Sequence, residues 1–309
     1  MKKFVLNTLL FVLFSGLFYF IALFFWGKYT PSMLKRNINY KICSYGHIHS
    51  RLSEVKKKKD IDILFLGSSH TYRGFDTRIF SKNNLQCFNL GSSSQTPIQT
   101  ETLLKRYLKR LKPKTIIYEV YPITFMIDGV ESSLDIIAND KNDLFSLEMV
   151  FKNNNIKTYN TFLYALFRDI FNLNNSYSEP KTRGNDTYIS GGFVEKEISY
   201  FKPTPFEKET IEINKSQLKS FSKIVSLIKK NKIDLILVYA PIPPSNYKRF
   251  TNNEYFDNTM ESYSEYYNFN KLMSLNDSLH FFDAHHLNQK GVELFNNKLI
   301  KILNERKVK

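Results

Sequence analysis

Three residues set the chemistry to look for: Ser69, Asp283 and His286. A serine hydroxyl is a poor nucleophile near neutral pH. It needs a base beside it, and that base is oriented by a carboxylate. Ser69 follows Gly67 and Ser68 directly after an apolar run, the setting of a tight turn at a strand end. Asp283 and His286 stand together near the other end of the chain, just ahead of a helical pattern. In a turn leading into a helix, a D-x-x-H spacing can set the carboxylate beside the imidazole. The carboxylate then fixes the tautomer while the second ring nitrogen faces the serine. Asn288 is placed to cap the helix that follows. Each feature alone is weak, because a serine in such a turn is usually a cap and a lone D-x-x-H is common. Their combination points to a Ser-His-Asp set.

The elements between must bring these ends together. Apolar runs at 61–66, 87–90, 115–120, 233–238 and 279–282 read as short buried strands, the first two ended by Gly67 and Gly91. Residues 96–111 carry Leu103, Leu104, Tyr107, Leu108 and Leu111 at helical spacing and are stopped by Pro113. Residues 216–230 and 288–305 read as two further amphipathic helices. Alternating strand and helix predicts an α/β three-layer sandwich around a mostly parallel, flavodoxin-like sheet. Chemistry in such sheets sits at the carboxyl ends of the strands. That places Ser69, Gly91, residues 119–122, residues 240–244 and the pair Asp283 and His286 on one rim. Residues 30–59 read as a polar linker or lead-in, and 60–309 as the main domain. Residues 125–213, rich in Asn, Ser and aromatics, read as an insertion or cap with a helical segment over 162–171 and a turn at Ser190, Gly191 and Gly192.

Other rim residues have competing readings. His70 adjoins Ser69, but neighbours on a tight turn usually point apart, so it is expected to contact substrate or cap the turn rather than act as the base. Tyr121 can offer a hydroxyl near a developing oxyanion or simply pack. Glu119 can orient site residues or pair with Arg73. His280 reads as a packed histidine on an apolar strand. His47 and His49 would share one face of a strand, with no third ligand nearby. No metal or cofactor is expected. Cys43 and Cys87 fit either one disulfide or two thiols.

Leu66, Gly67, Ser68 and Ser69 resemble the first sequence block of the SGNH/GDSL hydrolases, which implies Ser69 as nucleophile. Asn89, Leu90 and Gly91 resemble the second block, which implies an oxyanion donor in the Gly91 amide beside that of Ser69. The stretch from Asp283 through His285 and His286 to Asn288 and Gly291 resembles the last block, which implies His286, not His285, as base and Asp283 as its partner. Two features depart from the pattern. The aspartate before the nucleophile is Ser68, and no G-x-N-D follows the third strand, where the chain reads Tyr118, Glu119, Val120, Tyr121, Pro122. Loss of one oxyanion donor typically lowers a rate by about 10²–10³. The variant pattern is similar to a membrane-anchored subset that works beside membrane-bound O-acyltransferases in alginate acetylation and teichoic acid D-alanylation. The resemblance implies a serine O-acyltransferase or esterase acting on a cell-surface glycan or anionic polymer, with a membrane-bound O-acyltransferase as partner. A catalytically weak or inactive scaffold of the same fold, partnering a membrane-bound O-acyltransferase, is the alternative.

Residues 4–26 carry no charge, and Lys2 and Lys3 precede them. At about 1.5 Å per residue such a helix crosses a hydrocarbon core of roughly 30 Å. Trp26 and Tyr29 suit an interfacial belt. A cleaved signal would have a shorter apolar core and an A-x-A-like site. Residues 1–29 are therefore expected to be an uncleaved signal anchor in the cytoplasmic (inner) membrane, with the domain extracytoplasmic. The chain has 44 Lys and Arg against 29 Asp and Glu, a net charge of +15. That balance favours anionic partners such as phospholipid or anionic glycan. No zinc-finger spacing, Arg-rich helix or RNA-recognition signature points to nucleic acid.

Overall fold

The structure, a computed structural model, describes residues 1–174 and 177–308. Its strands are β1 (Ile63–Leu66), β2 (Cys87–Asn89), β3 (Thr115–Glu119), β4 (Thr182–Arg183), β5 (Asp186–Ile189), β6 (Phe193–Lys196), β7 (Asp234–Tyr239) and β8 (Glu265–Asn268). Five of them form one wholly parallel sheet in the order β2-β1-β3-β7-β8. This is the doubly wound order in which the chain reverses direction of growth beside its first strand. The helices used below are α1 (Lys2–Tyr29), α2 (Ile48–Val55), α3 (Ser69–Gly74), α4 (Pro97–Leu111), α5 (Ile156–Ile170), α6 (Lys215–Lys230) and α7 (Gln289–Val308).

The inner strands, β1 above all, are largely apolar because both faces are covered. Successive side chains point to opposite faces. Leu64 and Leu66 of β1 join one core with Leu103, Leu104 and Leu111 of α4 and Phe221, Ile224 and Ile228 of α6. Ile63 and Phe65 join the other with Val292, Phe295 and Leu299 of α7. The result is the expected α/β sandwich of three layers.

Three local expectations change. The fifth strand is not 279–282 but β8, whose polar sequence Glu-Tyr-Tyr-Asn suits the edge it occupies. In place of the expected strand there is a short helix, Asp277–His280, capped by Asn276, whose Oδ1 accepts from the Ser278 and Leu279 amides. Phe281 makes only a single bridge, to Leu287. His280 therefore ends a helix, half-buried, with Nδ1 accepting from the Asn276 amide at 2.9 Å. Residues 30–59 contribute α2, whose Ile48, Leu52 and Val55 are buried in the first core. The lysines that follow mask this short amphipathic segment in the sequence. His47 precedes α2 in the left-handed region and His49 lies in its first turn, so neither is on a strand.

Residues 125–213 hold the helices Val130–Asn139 and Leu144–Asn153, the fifteen-residue α5, and an antiparallel sheet β4-β5-β6. The α1 helix is long and apolar enough to cross a membrane, and only its C-terminal part touches the rest of the molecule. Phe24 stacks on Phe167 of α5 at 3.6 Å, and the Tyr19 hydroxyl donates to Asn160 at 2.7 Å. Both cysteines are free thiols.

Candidate active site

The chain leaves β1 at Gly67, which has φ +136. A Cβ there would stand 2.7 Å from the Glu119 carbonyl oxygen, so the turn requires glycine. Ser68 caps α3 by accepting the His70 amide at 3.4 Å. Ser69 is thus the first residue of α3, where a helix amide has no intrahelical partner. Gly91, past the end of β2, approaches this turn closely. A Cβ on it would lie 2.6 Å from the Ser68 carbonyl oxygen. The Gly91 amide donates to Asn89 Oδ1 at 3.2 Å, and Asn89 Nδ2 donates to the Thr71 carbonyl at 2.6 Å.

From the far end of the chain, the loop before α7 brings His286 to this turn. Its Nε2 lies 2.8 Å from Ser69 Oγ. Its Nδ1 lies 3.0 Å from each carboxylate oxygen of Asp283. A carboxylate only accepts, so Nδ1 carries the proton and Nε2 is left to accept from the serine. Asp283 Oδ1 also accepts the amides of His285 and His286, each at 2.8 Å. Burial alone would raise the Asp283 carboxyl. The hydrogen bond and charge of His286, with those two amides, override it and hold the group well below the usual carboxylate range. The Phe282 ring stacks on His286 with centroids 5.4 Å apart, fixing the other face of the imidazole.

His70 does not reach Ser69 Oγ as a base, because both of its ring nitrogens are engaged elsewhere. Nε2 donates to the His285 carbonyl at 3.0 Å, and Nδ1 lies 3.2 Å from Ser68 Oγ. The ring is buried against His286 and Tyr121, with centroids 4.9 and 4.2 Å away. Burial first, then the neighbouring His286 and His285, push His70 well below its ordinary value, so it is neutral and Nδ1 accepts.

The Ser68 hydroxyl then has one hydrogen and two neighbours, His70 Nδ1 and, at 3.2 Å, Glu119 Oε2. Glu119 resolves the conflict. Burial pushes its carboxyl up to about 8, so near neutral pH it is a protonated donor. Glu119 donates to Ser68, Ser68 to His70, and His70 to the His285 carbonyl, while the second carboxyl oxygen of Glu119, Oε1, is buried without a hydrogen-bond partner.

The expected Glu119–Arg73 pair does not form. Arg73 instead makes a bidentate pair with Asp186 of β5, at 3.0 and 2.8 Å. The Tyr121 hydroxyl is turned to His285 Nδ1 at 3.3 Å. Asn246 Nδ2 lies 3.3 Å from the same nitrogen and donates to the Ala284 carbonyl at 2.6 Å. Asn246 and the linking roles of Ser68 and His285 have no sequence motif. The signal open to sequence reading for Asn246 was its place just beyond the prolines at the end of β7. The cavity bounded by His70, Arg73, His286 and Leu287 measures only about 10 Å³, room for one water at most, and Ser69 itself is half-buried.

No protein-family model and no curated protein matches the chain. Among solved structures it is similar to a GDSL-like lipase from Bacteroides thetaiotaomicron VPI-5482 (11% identity, 84% of this chain and 98% of that one, TM-score 0.43). It is also similar to a candidate acylhydrolase from Bacteroides fragilis NCTC 9343 (12% identity, 87% and 99%, TM-score 0.42). Likenesses this distant add nothing to what the sheet order and the site distances already state.

Proposed function

We propose that this chain is a membrane-anchored serine esterase or O-acyltransferase of the SGNH/GDSL kind. The observation that carries the reading is the 2.8 Å contact of His286 Nε2 with Ser69 Oγ, backed by Asp283 on Nδ1. Ser69 Oγ attacks the acyl carbonyl and its proton passes to His286 Nε2. Asp283 stabilises the resulting imidazolium. The oxyanion is received by the Ser69 amide, and by the Gly91 amide once it exchanges its bond to Asn89 for the substrate. His286 then protonates the leaving oxygen, leaving acyl-Ser69. Attack by water completes an esterase cycle. Attack by a glycan hydroxyl completes a transferase cycle, with His286 taking the attacking proton in either case.

The +15 net charge supports an anionic cell-envelope polysaccharide as the acceptor, outside the cytoplasmic membrane. A long apolar helix at the start of the chain also suits acyl delivery by a membrane-bound O-acyltransferase. Two observations favour a second reading, a weak or inactive scaffold: the Gly91 amide is occupied by Asn89, and the chain lacks the third-block asparagine. The full chain in detergent, treated with a fluorophosphonate probe and p-nitrophenyl acetate beside Ser69→Ala and His286→Ala, separates the two. Labelling and turnover lost in both variants support the enzyme. A folded wild type with neither supports the scaffold.

A further inference from the structure

At the foot of α1 lies a cavity of about 610 Å³. Lys35, Arg36, Lys41, Lys157 and Arg168 line it, with Gly27 of α1 and the ring of Tyr164, and none of the described residues lining it is acidic. Five cations around one cavity repel each other unless an anion sits among them. Two of them are committed to the protein. Lys35 Nζ donates to the Gly27 carbonyl at 2.9 Å, and Arg168 donates to Asn174, Tyr164 and the Leu173 carbonyl. Neither Arg36 nor Lys157 has a side-chain hydrogen-bond or ion-pair partner among the described residues.

The height of this cavity identifies its surroundings. A hydrocarbon core of roughly 30 Å takes about 20 helical residues. Counted from the lysines that open α1, that length is used up a few residues before Gly27. Gly27 and the exposed Trp26 and Tyr29 then fall in the headgroup layer. Packing on α5 agrees, because Phe20 and Phe24 both lie against Phe167, and Ile170 and Phe171 at the end of α5 are exposed apolar groups.

We propose that this cavity binds the phosphate headgroup of an anionic phospholipid. The inference rests on reading α1 as a membrane span, not on the chemistry at Ser69. Arg36, Lys41 and Lys157 meet the phosphate oxygens, while Lys35 and Arg168 hold the walls. The bound lipid ties α1 to α5 and fixes the height of the domain above the bilayer.

The test is native mass spectrometry of the full chain in detergent, with phosphatidylglycerol, phosphatidylcholine or inorganic phosphate added. Wild type is expected to retain one phosphatidylglycerol at least about tenfold more strongly than phosphatidylcholine, since each basic group at a membrane surface contributes appreciably. Arg36→Ala, Lys41→Ala and Lys157→Ala combined should lose that preference. Lys57→Ala, Lys58→Ala and Lys59→Ala combined, an equal charge change elsewhere, should keep it. Equal retention of the two lipids, unchanged retention by the first variant, or retention of inorganic phosphate without a lipid preference would each overturn the proposal. Fluorophosphonate labelling of the same samples reports on Ser69 separately, so failure of one reading is not mistaken for failure of the other.

Discussion

Ser68 occupies the place where the resemblance leads one to expect an aspartate, and its hydroxyl works as a link between Glu119 and His70. The link requires a donor at position 119. Glu119→Gln keeps one in its amide and should leave turnover within a few-fold of wild type, whereas Glu119→Ala removes it and should lower kcat with little change in KM. Stability should also respond. Glu119 has a folded value of about 8, above its unfolded value, so between roughly pH 4.5 and 8 the native state holds more protons. Its contribution is fully present below that window and is lost as pH rises through it. Thermal melts of wild type and Glu119→Gln should therefore coincide near pH 4.5 and diverge in favour of the variant above pH 8. Asp135, also raised by burial to about 7, acts in the same direction in both proteins and cancels in the comparison. At the base, Asp283→Asn would present a donor to Nδ1 and force the wrong tautomer. Steady-state assays should show a loss of about 10³–10⁴ in kcat.

The element that delivers His286 is the loop before α7, and it is set by how α7 packs. Phe295 is fully buried between Phe75 and Phe269, at 5.1 and 4.8 Å. Phe295→Ala should cost about 3–5 kcal/mol. Leu294, half exposed on the same helix, should change stability by less than about 0.5 kcal/mol when replaced by Ala. Denaturation of the two variants side by side checks the contrast. Such contrasts also explain what was legible in the sequence. Strands buried on both faces, such as β1 and β7, announce themselves as apolar runs. The amphipathic α4 and α6 announce themselves by period. The edge strand β8 has one exposed and two half-buried residues among its four, so it carries no apolar run, whereas residues 279–282 carry one without forming a strand. The short α2 was hidden by the lysines behind it. Ser69 stood out by the glycine turn after β1, and Asp283 and His286 by their D-x-x-H spacing ahead of α7. The links through Glu119, Ser68, His70, His285 and Asn246 were not, because they join four separate stretches of chain through space, with no fixed spacing between those stretches to betray them.

Across the whole molecule, the apolar helix α1 is part of the packing. Phe24 on Phe167, and Gly27 so close to Tyr164 that a Cβ would meet the ring at 2.5 Å, join α1 to α5. A chain begun near Tyr45 would uncover Tyr164 and Phe167, and should melt lower and aggregate more readily than the full chain in detergent. Light scattering during a thermal ramp checks this. On the proposed orientation, a reporter fused after Lys309 should be active outside the cytoplasm; activity only inside would reverse that proposal. The central claim, however, is that Ser69 is a nucleophile activated by His286. Its most direct test is peptide mass spectrometry of the folded full chain after fluorophosphonate treatment. The account predicts one adduct, on Ser69, absent from His286→Ala. A folded wild type without an adduct, or an adduct that persists in Ser69→Ala, would contradict it.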